Sequence, residues 1–285
     1  MAIETLKVLV AESLAEEGVE MLRGVATVDV KLDLSPQNLL DVIGGYDAVI
    51  VRSATKIDAE VIDNAPRLKV IGRAGTGFDN IDVDAATRKG ILVVNAPESN
   101  TLAAAEHTMA LLLAMARNIP VANASLKAGR WERSLFVGVE LHGKTLGVLG
   151  LGRIGTLVAQ RAAAFGMRLL AYDPYVSRNR AAQLGIELVE TVDQICQQSD
   201  FISVHLPKTS ETKAMLGAQQ FSLMRPGVRI VNVARGGLID EVALADALQT
   251  GKVAGAALDV FDQEPPDPGP MFDNEAVVVT PHLGA

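Results

Sequence analysis

The stretch Thr145-Leu-Gly-Val-Leu-Gly-Leu-Gly-Arg-Ile-Gly155 decides the fold of this chain. Its apolar start predicts a short strand, and its glycines lead directly into a predicted helix over residues 154–165. Gly150 suits a tight bend, Gly152 lets a pyrophosphate approach the main chain, and Gly155 lets the helix pack closely on the strand. The N–H groups of the first helical turn would then face the phosphates. This pattern is typical of a βαβ unit that binds a dinucleotide.

The residues after this stretch support the same interpretation. A second predicted strand, residues 168–172, ends at Asp173, which comes at the spacing of the carboxylate that binds a ribose hydroxyl. Its negative charge favours NAD over NADP because it repels a 2′-phosphate, although Arg178 and Arg180 downstream leave some use of NADP open. The alternative is a glycine turn in an ordinary βαβ unit, which the strand, the helix and the acidic residue together disfavour.

Length and composition indicate a protein of two domains. The chain has 285 residues, of which 49% are apolar and 21% charged, as in typical globular proteins. A formal net charge of -8 argues against nucleic acid or an anionic membrane as a partner, and the single Cys196 suits the reducing cytoplasm. The N-terminus has no signal-peptide pattern, and residues 102–116 are too short to span a bilayer. The histidines and the cysteine are scattered, so no metal site is predicted.

Residues 1–99 alternate short apolar strands with helices. The strands are predicted at residues 6–10, 28–32, 47–51, 68–72 and 91–94. The helices between them are predicted to begin at the capping residues Ser13, Ser35, Asp58 and Asp82. Continuous apolar strands alternating with helices indicate a parallel sheet covered on both faces.

Residues 100–285 form the second predicted domain. Residues 100–117 predict one long helix with apolar residues on several faces, so it should be buried between domains or between subunits. Further strands are predicted at residues 200–206, 228–233, 253–260 and 276–280. The predicted fold class is α/β with two doubly wound parallel-sheet domains. They are a Rossmann NAD-binding domain and a flavodoxin-like substrate domain, with the cleft between them.

Three ionisable side chains directly follow strands of the second domain, namely Arg235, Glu264 and His282. Ligands of an open parallel sheet bind beyond the carboxyl ends of its strands, so these residues are candidates for a reaction centre. Oxidation of an alcohol needs a proton acceptor, for which histidine is suited, and a carboxylate can orient the imidazole. A guanidinium can hold a substrate carboxylate. The ordinary alternatives are a capping arginine, an anchor for the proline-rich loop at 264–270 and a surface histidine.

The other histidines carry weaker signals. His107 lies in the long apolar helix and is interpreted as a structural residue, and His142 lies in a predicted turn. His205 ends a strand, and the Leu206-Pro207 pair after it indicates a wall of the cofactor site and not a proton carrier.

The first domain has its own residues at strand ends. Arg52 and Ser53 follow one predicted strand, and Arg73-Ala-Gly75-Thr-Gly77 follows the next. Consecutive backbone N–H groups in a glycine-rich loop, flanked by arginine, predict a concave site for an anion. The alternative is a pair of surface arginines bound to neighbouring acids.

The motifs together resemble one family, the D-isomer-specific 2-hydroxyacid dehydrogenases. Four segments match its signatures in the expected order, namely Gly147 to Gly155, Asn232-Val-Ala-Arg-Gly-Gly237, Ala257-Leu-Asp-Val-Phe-Asp-Gln-Glu-Pro-Pro266 and Pro281-His-Leu-Gly-Ala285. Residues 51–56, 72–80 and 131–133 resemble the branch of the family that oxidises 3-phospho-D-glycerate. The similarity covers essentially the whole chain.

The resemblance implies roles for individual residues. Arg235, Glu264 and His282 match the substrate arginine, the supporting acid and the proton-carrying histidine. Besides the three glycines and His205, cofactor contacts are implied for Thr76, Arg153, Ile154, Asp173, Val233, Ala234, Asp259, Gly284 and Ala285. Substrate contacts are implied for Arg52, Ser53, Arg73, Gly75, Asn100 and, in the site of a partner subunit, Arg133.

The resemblance also implies an activity and an assembly. The activity is oxidation of 3-phospho-D-glycerate to 3-phosphohydroxypyruvate with NAD, the first step of phosphorylated serine biosynthesis. The assembly is a homodimer or a dimer of dimers joined through residues 100–143. The alternatives are a reductase of glyoxylate, hydroxypyruvate or another D-2-hydroxy acid, and an NAD-sensing protein similar to corepressors. The family's chain continues past the catalytic histidine into a helix that returns to the first domain, so that helix is expected to be missing after residue 285.

Overall fold

The computed structural model describes residues 6–267 and 269–284. The chain divides into two compact units, Met1–Asn100 and Thr101–Ala285. The division lies next to the boundary near residue 100 that the sequence predicts.

The first unit contains a five-stranded parallel sheet with the strand order β2-β1-β3-β4-β5. Its strands are β1 (Lys7–Val10), β2 (Thr27–Val30), β3 (Ala48–Val51), β4 (Val70–Arg73) and β5 (Leu92–Asn95). This is the flavodoxin-like order, in which the connections reverse direction between β1 and β3. The flavodoxin-like sheet predicted for this unit is therefore confirmed.

Four helices connect these strands, namely α1 (Glu16–Arg23), α2 (Pro36–Ile43), α3 (Ala59–Asp63) and α4 (Val83–Arg88). The predicted caps Ser35, Asp58 and Asp82 each accept a hydrogen bond from a backbone N–H in the first turn of their helix. The prediction of Ser13 as a cap is wrong, because α1 begins after Ala15 and has no side-chain cap. Buried side chains of α2, α3 and α4 share a core with Leu9, Val49 and Ile71 of the sheet.

The second unit contains a seven-stranded parallel sheet with the order β12-β11-β10-β9-β6-β7-β8. Its strands are β6 (Thr145–Leu149), β7 (Arg168–Tyr172), β8 (Glu187–Leu188), β9 (Phe201–Val204), β10 (Val228–Asn232), β11 (Val253–Leu258) and β12 (Val277–Val279). Counted from β6, the first six strands follow the Rossmann order, which reverses between β6 and β9. The predicted Rossmann fold is confirmed.

The helices of this unit are α5 (Thr101–Ala116), α6 (Ile119–Lys127), α7 (Arg153–Ala164), α8 (Arg178–Gln183), α9 (Val192–Gln198), α10 (Ala218–Leu223) and α11 (Glu241–Gln249). The sequence predicts α5 and α7 but not α6, whose cap Asn118 is left-handed (φ 53°) and makes no side-chain capping bond. Within the described residues, no single helix has both the length and the apolar composition to cross a membrane. Helices α5 and α6 meet these criteria only as a pair, bent by 63° at their junction.

Helix α5 is buried on more than one face, and the packing described here lies within its own unit, so its burial between domains or subunits stays a prediction. It packs against α7 and against β10 and β11. Ala105 and Leu112 are fully buried, and Met109 and Met115 retain only 6% and 4% exposure. Burial of a side chain the size of leucine stabilises a fold by about 1.5–3 kcal/mol, so α5 is a large part of the core of this unit.

Candidate active site

The glycine turn after β6 has the geometry that its sequence predicts. Gly150 has a left-handed φ of 92°, and a Cβ there would lie 2.6 Å from the His205 carbonyl oxygen. A Cβ on Gly155 would lie 2.0 Å from the Gly150 carbonyl oxygen, so only glycine allows α7 to start this close to the strand. Apart from atoms of Gly152 and its chain neighbours, a Cβ on Gly152 would meet no described atom within 4 Å. The turn therefore leaves space for a phosphate over Gly152, and its residues fit a dinucleotide.

Asp173, the predicted ribose ligand, lies against this turn. Its Oδ2 accepts the Leu151 N–H at 2.8 Å and its Oδ1 accepts the Tyr175 N–H at 2.9 Å. Each carboxylate oxygen has two acceptor sites, so both oxygens keep capacity for a hydroxyl group. Of the two downstream arginines, Arg178 forms an exposed ion pair with Glu190.

Arg153 and Ile154, the other cofactor contacts implied here, form the start of α7. Arg153 is exposed and Ile154 is half-buried. They occupy the first helical turn, where backbone N–H groups favour an anion. Their position is compatible with the phosphate-binding role that the resemblance implies.

His205 lies where the strand order reverses. Its N–H donates to the Leu149 carbonyl at 2.7 Å, which joins the end of β9 to the end of β6. Its Nε2 is 2.8 Å from the hydroxyl of Ser203, a fully buried residue. Burial lowers the pKa of His205 to about 4, so the ring is neutral near pH 7. These features suit a wall of the cofactor site better than a proton carrier.

The structure brings Glu264 and His282 together at the carboxyl edge of the sheet. Strands β11 and β12 are adjacent and parallel, and the loops after them carry Glu264 and His282. His282 Nδ1 lies 2.7 Å from Glu264 Oε2, and Glu264 Oε1 accepts the Phe261 N–H at 3.1 Å. The two side chains are 33% and 37% exposed, so the pair is fixed on one side and accessible on the other. A carboxylate on Nδ1 leaves Nε2 of the imidazole to act on a ligand.

The segment Thr280–Gly284, called the histidine loop below, is held by one buried carboxylate. Asp259 is fully buried, and its two oxygens accept the N–H groups of Leu283 and Gly284, both at 2.8 Å. Its Oδ1 also accepts the Thr280 hydroxyl at 2.5 Å. His282 has a left-handed φ of 54°, which costs a non-glycine residue about 1–2 kcal/mol. The bonds to Asp259 hold the loop in this conformation.

His107 also belongs to this cluster. From α5, its Nε2 lies 3.2 Å from Asp259 Oδ1 and 3.1 Å from the Thr280 hydroxyl oxygen. The interpretation of His107 as a residue with satisfied hydrogen bonds agrees with these contacts. Asp259, implied as a cofactor contact, bonds through its carboxylate to His107 and to the histidine loop, which belong to its own unit.

Arg235 is carried by a turn that Asn232 stabilises. Asn232 is 2% exposed, accepts the Ala234 N–H at 3.0 Å and donates to the Arg235 carbonyl at 2.8 Å. A Cβ on Gly236 would lie 1.7 Å from the Phe261 carbonyl oxygen, so the turn after Arg235 packs directly on the segment that leads to Glu264. The Arg235 guanidinium donates to the Ala234 carbonyl at 2.6 Å.

The remaining cofactor contacts predicted in this unit lie around the same loops. Gly284 is buried, and a Cβ there would lie 2.4 Å from Cγ1 of Val233 and 3.0 Å from Asp259 Oδ2. Ala234 is half-buried in the Asn232 turn. Ala285, the last of these predictions, lies outside the described residues.

In the first unit, the loop after β3 that carries Arg52 and Ser53 is bound by an internal carboxylate. Glu12 accepts the N–H groups of Arg52 at 2.8 Å, Ala54 at 3.2 Å and Thr55 at 2.9 Å. Burial alone would raise the pKa of Glu12, but these N–H donors lower it below its ordinary value. The Arg52 side chain itself is exposed.

Arg73 and Gly75 lie at the end of the neighbouring strand. The Arg73 guanidinium folds over Gly75, where a Cβ would lie 1.4 Å from Arg73 Nη1. The N–H groups of Ala74 and Gly75 donate to the carbonyls of Val51 and Arg73. The prediction that consecutive N–H groups of the glycine-rich loop form an anion site is therefore wrong for the amides of Ala74 and Gly75, because they already have acceptors. The guanidinium groups of Arg52 and Arg73 remain candidates for binding an anion in this unit.

Thr76 and Asn100, predicted as a cofactor contact and a substrate contact, bond to each other in the first unit through the Thr76 hydroxyl and the Asn100 amide oxygen. Arg133 lies in a short 3-10 turn, Arg133–Leu135, of the second unit and is exposed.

Sequence reasoning missed several residues that hold these loops, namely Glu12, Asn80, Asn232 and Thr280. Asn80 donates to the carbonyls of Arg52 and Thr55 at 2.9 and 2.6 Å. Asn232 begins the motif that carries Arg235, and Thr280 directly precedes the motif that carries His282, so their positions were an available signal. Glu12 has no such signal, because the N–H groups that donate to it lie 40 to 43 residues away.

Comparison with known proteins identifies the class to which the fold and the site belong. The profile of the family described as D-isomer specific 2-hydroxyacid dehydrogenase, NAD binding domain, matches residues 109–284. The chain belongs to this family. The dinucleotide predicted from the glycine turn is accordingly NAD.

Individual relatives are similar over nearly the whole chain. The D-3-phosphoglycerate dehydrogenase of Methanocaldococcus jannaschii is 51% identical over 280 residues, which cover 98% of this chain and 53% of that protein. The D-3-phosphoglycerate dehydrogenase of Mycobacterium tuberculosis is 56% identical over 278 residues, with coverages of 98% and 52%. The chain thus spans about half the length of these curated relatives. The crystal structure of D-lactate dehydrogenase from Aquifex aeolicus, complexed with NAD and lactic acid, superposes with a TM-score of 0.86 at 30% identity, covering 98% of this chain and 88% of that one.

Proposed function

We propose that this protein oxidises 3-phospho-D-glycerate to 3-phosphohydroxypyruvate with NAD, the first step of the phosphorylated route to serine. The observation that carries the proposal is the 2.7 Å contact of Glu264 with His282 at the carboxyl edge of a Rossmann sheet. The substrate is proposed from the relatives named D-3-phosphoglycerate dehydrogenase, with 51% and 56% identity. Two arginines at strand ends of the first unit, Arg52 and Arg73, suit a phosphate.

In this mechanism His282 is the base. Glu264 accepts the Nδ1–H, which sets the tautomer and leaves the Nε2 lone pair to take the proton of the substrate hydroxyl. The carboxylate also stabilises the imidazolium that forms. NAD, when bound, accepts the hydride that leaves the hydroxyl-bearing carbon. Arg235 holds the substrate carboxylate, so that the hydroxyl is presented to His282.

The residues that would hold NAD follow the order of its parts. Gly150, Gly152 and Gly155, with the first turn of α7, would bind the pyrophosphate, and Asp173 would bind the ribose. The nicotinamide end would then lie toward the loops after β10 to β12. The residues proposed there are Val233, Ala234, Asp259 and Gly284, with His205 as a wall. Thr76 and Ala285 are further proposed cofactor contacts.

The phosphate is proposed to bind the first unit. The backbone of the Arg52 loop is fixed by Glu12 and Asn80, while the Arg52 side chain remains exposed. The described hydrogen bonds that fix this loop use its backbone and not the Arg52 guanidinium, so the guanidinium can pair with a charged ligand. Ser53, Arg73, Gly75 and Asn100 complete the proposed substrate contacts.

The test compares substrates in one variant. Arg52→Ala should lower kcat/KM for 3-phospho-D-glycerate by about 100-fold, because a charge-assisted contact to phosphate is lost. It should change turnover of unphosphorylated acids such as D-lactate by less than about 3-fold. Arg88→Ala, which removes an exposed arginine from the last turn of α4, is the matched control. NADH absorbance follows each reaction.

Two other results would replace the proposal. An equal loss for phosphorylated and unphosphorylated substrates would favour a reductase of glyoxylate, hydroxypyruvate or another D-2-hydroxy acid. Tight binding of NAD without turnover of any of these acids would favour an NAD-sensing binding protein.

We also infer that the protein acts as a homodimer, or a dimer of dimers, in the cytoplasm. Residues 100–143 expose several large apolar side chains, including Trp131 at 75%, Leu135 at 69% and Val137 at 78%. Such a concentration on one segment is typical of an interface. Arg133, within this segment, is proposed to reach the partner's substrate. Light scattering of Leu135→Lys should show a shift toward monomer, and an unchanged mass would contradict the inference.

The buried Cys196 is compatible with a reducing compartment.

A further inference from the structure

We propose that His107 is a positioning residue for proton transfer, acting from α5 through Asp259 on the histidine loop. The inference rests on the proposed function, in which His282 is the base. His107 lies in the long core helix and does not belong to the motifs that carry Arg235, Glu264 and His282.

The contacts of His107 assign it a single chemical task. Asp259 Oδ1 accepts the Thr280 hydroxyl and the Leu283 N–H, and its Oδ2 accepts the Gly284 N–H. With the Thr280 proton directed at Asp259, Nε2 of His107 faces two acceptors, at 3.2 Å and 3.1 Å. An imidazole nitrogen in that position has to carry a proton. His107 therefore donates from Nε2 to the carboxylate and to the hydroxyl.

These bonds reach His282 through the main chain. The His282 N–H donates to the Asp259 carbonyl at 2.9 Å, and its neighbour Leu283 donates to the Asp259 carboxylate. The left-handed φ of 54° at His282 persists only because surrounding groups hold it. A change in the orientation of the Asp259 carboxylate moves Leu283 and Gly284 and therefore turns the imidazole of His282.

Burial makes the contribution of His107 large. Asp259 is fully buried, while the His107 side chain is 20% exposed. A buried carboxylate that loses one of its donors re-forms its bonds with other groups, because it has no access to water. Helix α5 is anchored by Ala105 and Leu112, so it offers a rigid support for the donor.

The test uses variants of His107 in the full chain. His107→Leu keeps the apolar volume and removes the donor, whereas His107→Gln keeps a side-chain N–H donor. His107→Leu should lower kcat by about 10- to 100-fold and leave the KM for 3-phospho-D-glycerate within about 2-fold. His107→Gln should recover most of that loss. His142→Leu, which changes an exposed histidine of the same unit, should match the wild type.

A second measurement does not depend on activity. Hydrogen exchange of the Leu283 and Gly284 amides in the protein without NAD should be faster by about 10-fold in His107→Leu and close to wild type in His107→Gln. Wild-type exchange and wild-type kcat in His107→Leu would overturn the inference. Equal losses in the Leu and Gln variants would also overturn it, because they would reduce His107 to a packing residue.

Failure of the proposed function gives a different result. A wild-type protein that does not oxidise 3-phospho-D-glycerate rejects that function, while the exchange of the Leu283 and Gly284 amides still decides whether His107 holds the loop. If His107→Leu does not fold, His107→Gln and His107→Asn provide the comparison, since Asn places its N–H nearer the helix and should restore less exchange protection than Gln.

Discussion

Asp47 in the first unit and Asp200 in the second occupy the same place in their sheets. Each directly precedes a strand that pairs with the first strand of its unit. Asp47 accepts the Lys7 N–H at 3.0 Å, and Asp200 accepts the Thr145 N–H at 2.8 Å. Each also pairs with an arginine, Arg67 at 3.2 Å for Asp47 and Arg225 at 3.1 Å for Asp200. At the amino edge of each sheet, an aspartate thus binds both a backbone N–H of the first strand and an arginine.

The carboxyl edges differ at the point where the strand order reverses. In the first unit, Glu12 follows β1 and binds three backbone N–H groups of the loop after β3. In the second unit, Gly150 and Gly152 follow β6, and a Cβ placed on Gly152 would have no described atom within 4 Å apart from its chain neighbours. An acidic side chain in one unit thus does internally what an anionic ligand would do in the other. Strand order therefore locates the ligand edge of each sheet, and the residues after the first strand decide whether its backbone N–H groups remain open to an anion.

The greatest loss of activity is expected at His282, because the Glu264–His282 pair lies in the second unit. His282→Gln should lower kcat by at least about 100-fold, since it removes the proton acceptor. Binding of NAD, followed by fluorescence titration, should change by less than about 3-fold. His142→Gln is the matched control. A variant of His282 with more than about a tenth of the wild-type kcat would show that the base lies elsewhere.

The next effect separates the glycines of the turn. Gly155→Ala should lower the free energy of unfolding by about 1–3 kcal/mol, because its Cβ would lie 2.0 Å from a carbonyl oxygen. Gly152→Ala should unfold at the wild-type temperature and weaken NAD binding by about 10-fold, since its Cβ enters the space for the phosphate. Thermal unfolding and NAD titration of the two variants measure both effects. Equal NAD affinity in Gly152→Ala and the wild type would contradict the assignment of that space.

A smaller effect tests the internal carboxylate of the first unit. Glu12→Gln should lower the free energy of unfolding by about 1–2 kcal/mol near neutral pH, because three N–H groups lose a charged acceptor. The lowered pKa of Glu12 determines how its contribution to the free energy of unfolding depends on pH. Its contribution is complete above the ordinary pKa of 4.5 and is lost as the pH falls through the lower folded value. Urea unfolding should therefore show the difference between variant and wild type shrinking in acid. A difference that grows in acid would exclude this role.

The smallest effect is expected at the amino edge. Lys69→Met removes a side chain that is 67% exposed and lies 3.3 Å from Asp47. Since the Lys7 N–H lowers the pKa of Asp47 more than any other group and remains in place, the free energy of unfolding should change by less than about 0.5 kcal/mol. Asp47→Asn, measured by the same urea unfolding, should change it more. The reverse order would show that the ion pair, and not the backbone bond, fastens this edge.

Local signals allowed much of the fold to be predicted from the sequence. Ser35, Asp58 and Asp82 cap their helices because a capping bond joins residues three apart. The encounter of Glu264 and His282 could be predicted because adjacent parallel strands end at one edge. In both cases the decisive contact follows from spacing along the chain or from strand order.

Contacts between distant residues explain the errors. Ser13 does not start α1, and its neighbour Glu12 instead binds N–H groups of the loop after β3, 40 to 43 residues away. His107 carries no local sign of its contact with Asp259, which lies 152 residues away. Such pairings are decided by the packing of α5 on the sheet, which single-sequence patterns do not encode.

A double-mutant cycle shows whether Glu264 and His282 act as one unit. It compares kcat for oxidation of 3-phospho-D-glycerate in the wild type, Glu264→Gln, His282→Gln and the double variant, with NADH absorbance as the signal. If Glu264 acts through His282, the double variant should be no slower than His282→Gln alone, to within about 2-fold. Losses that multiply in the double variant would show two independent roles and would contradict the account.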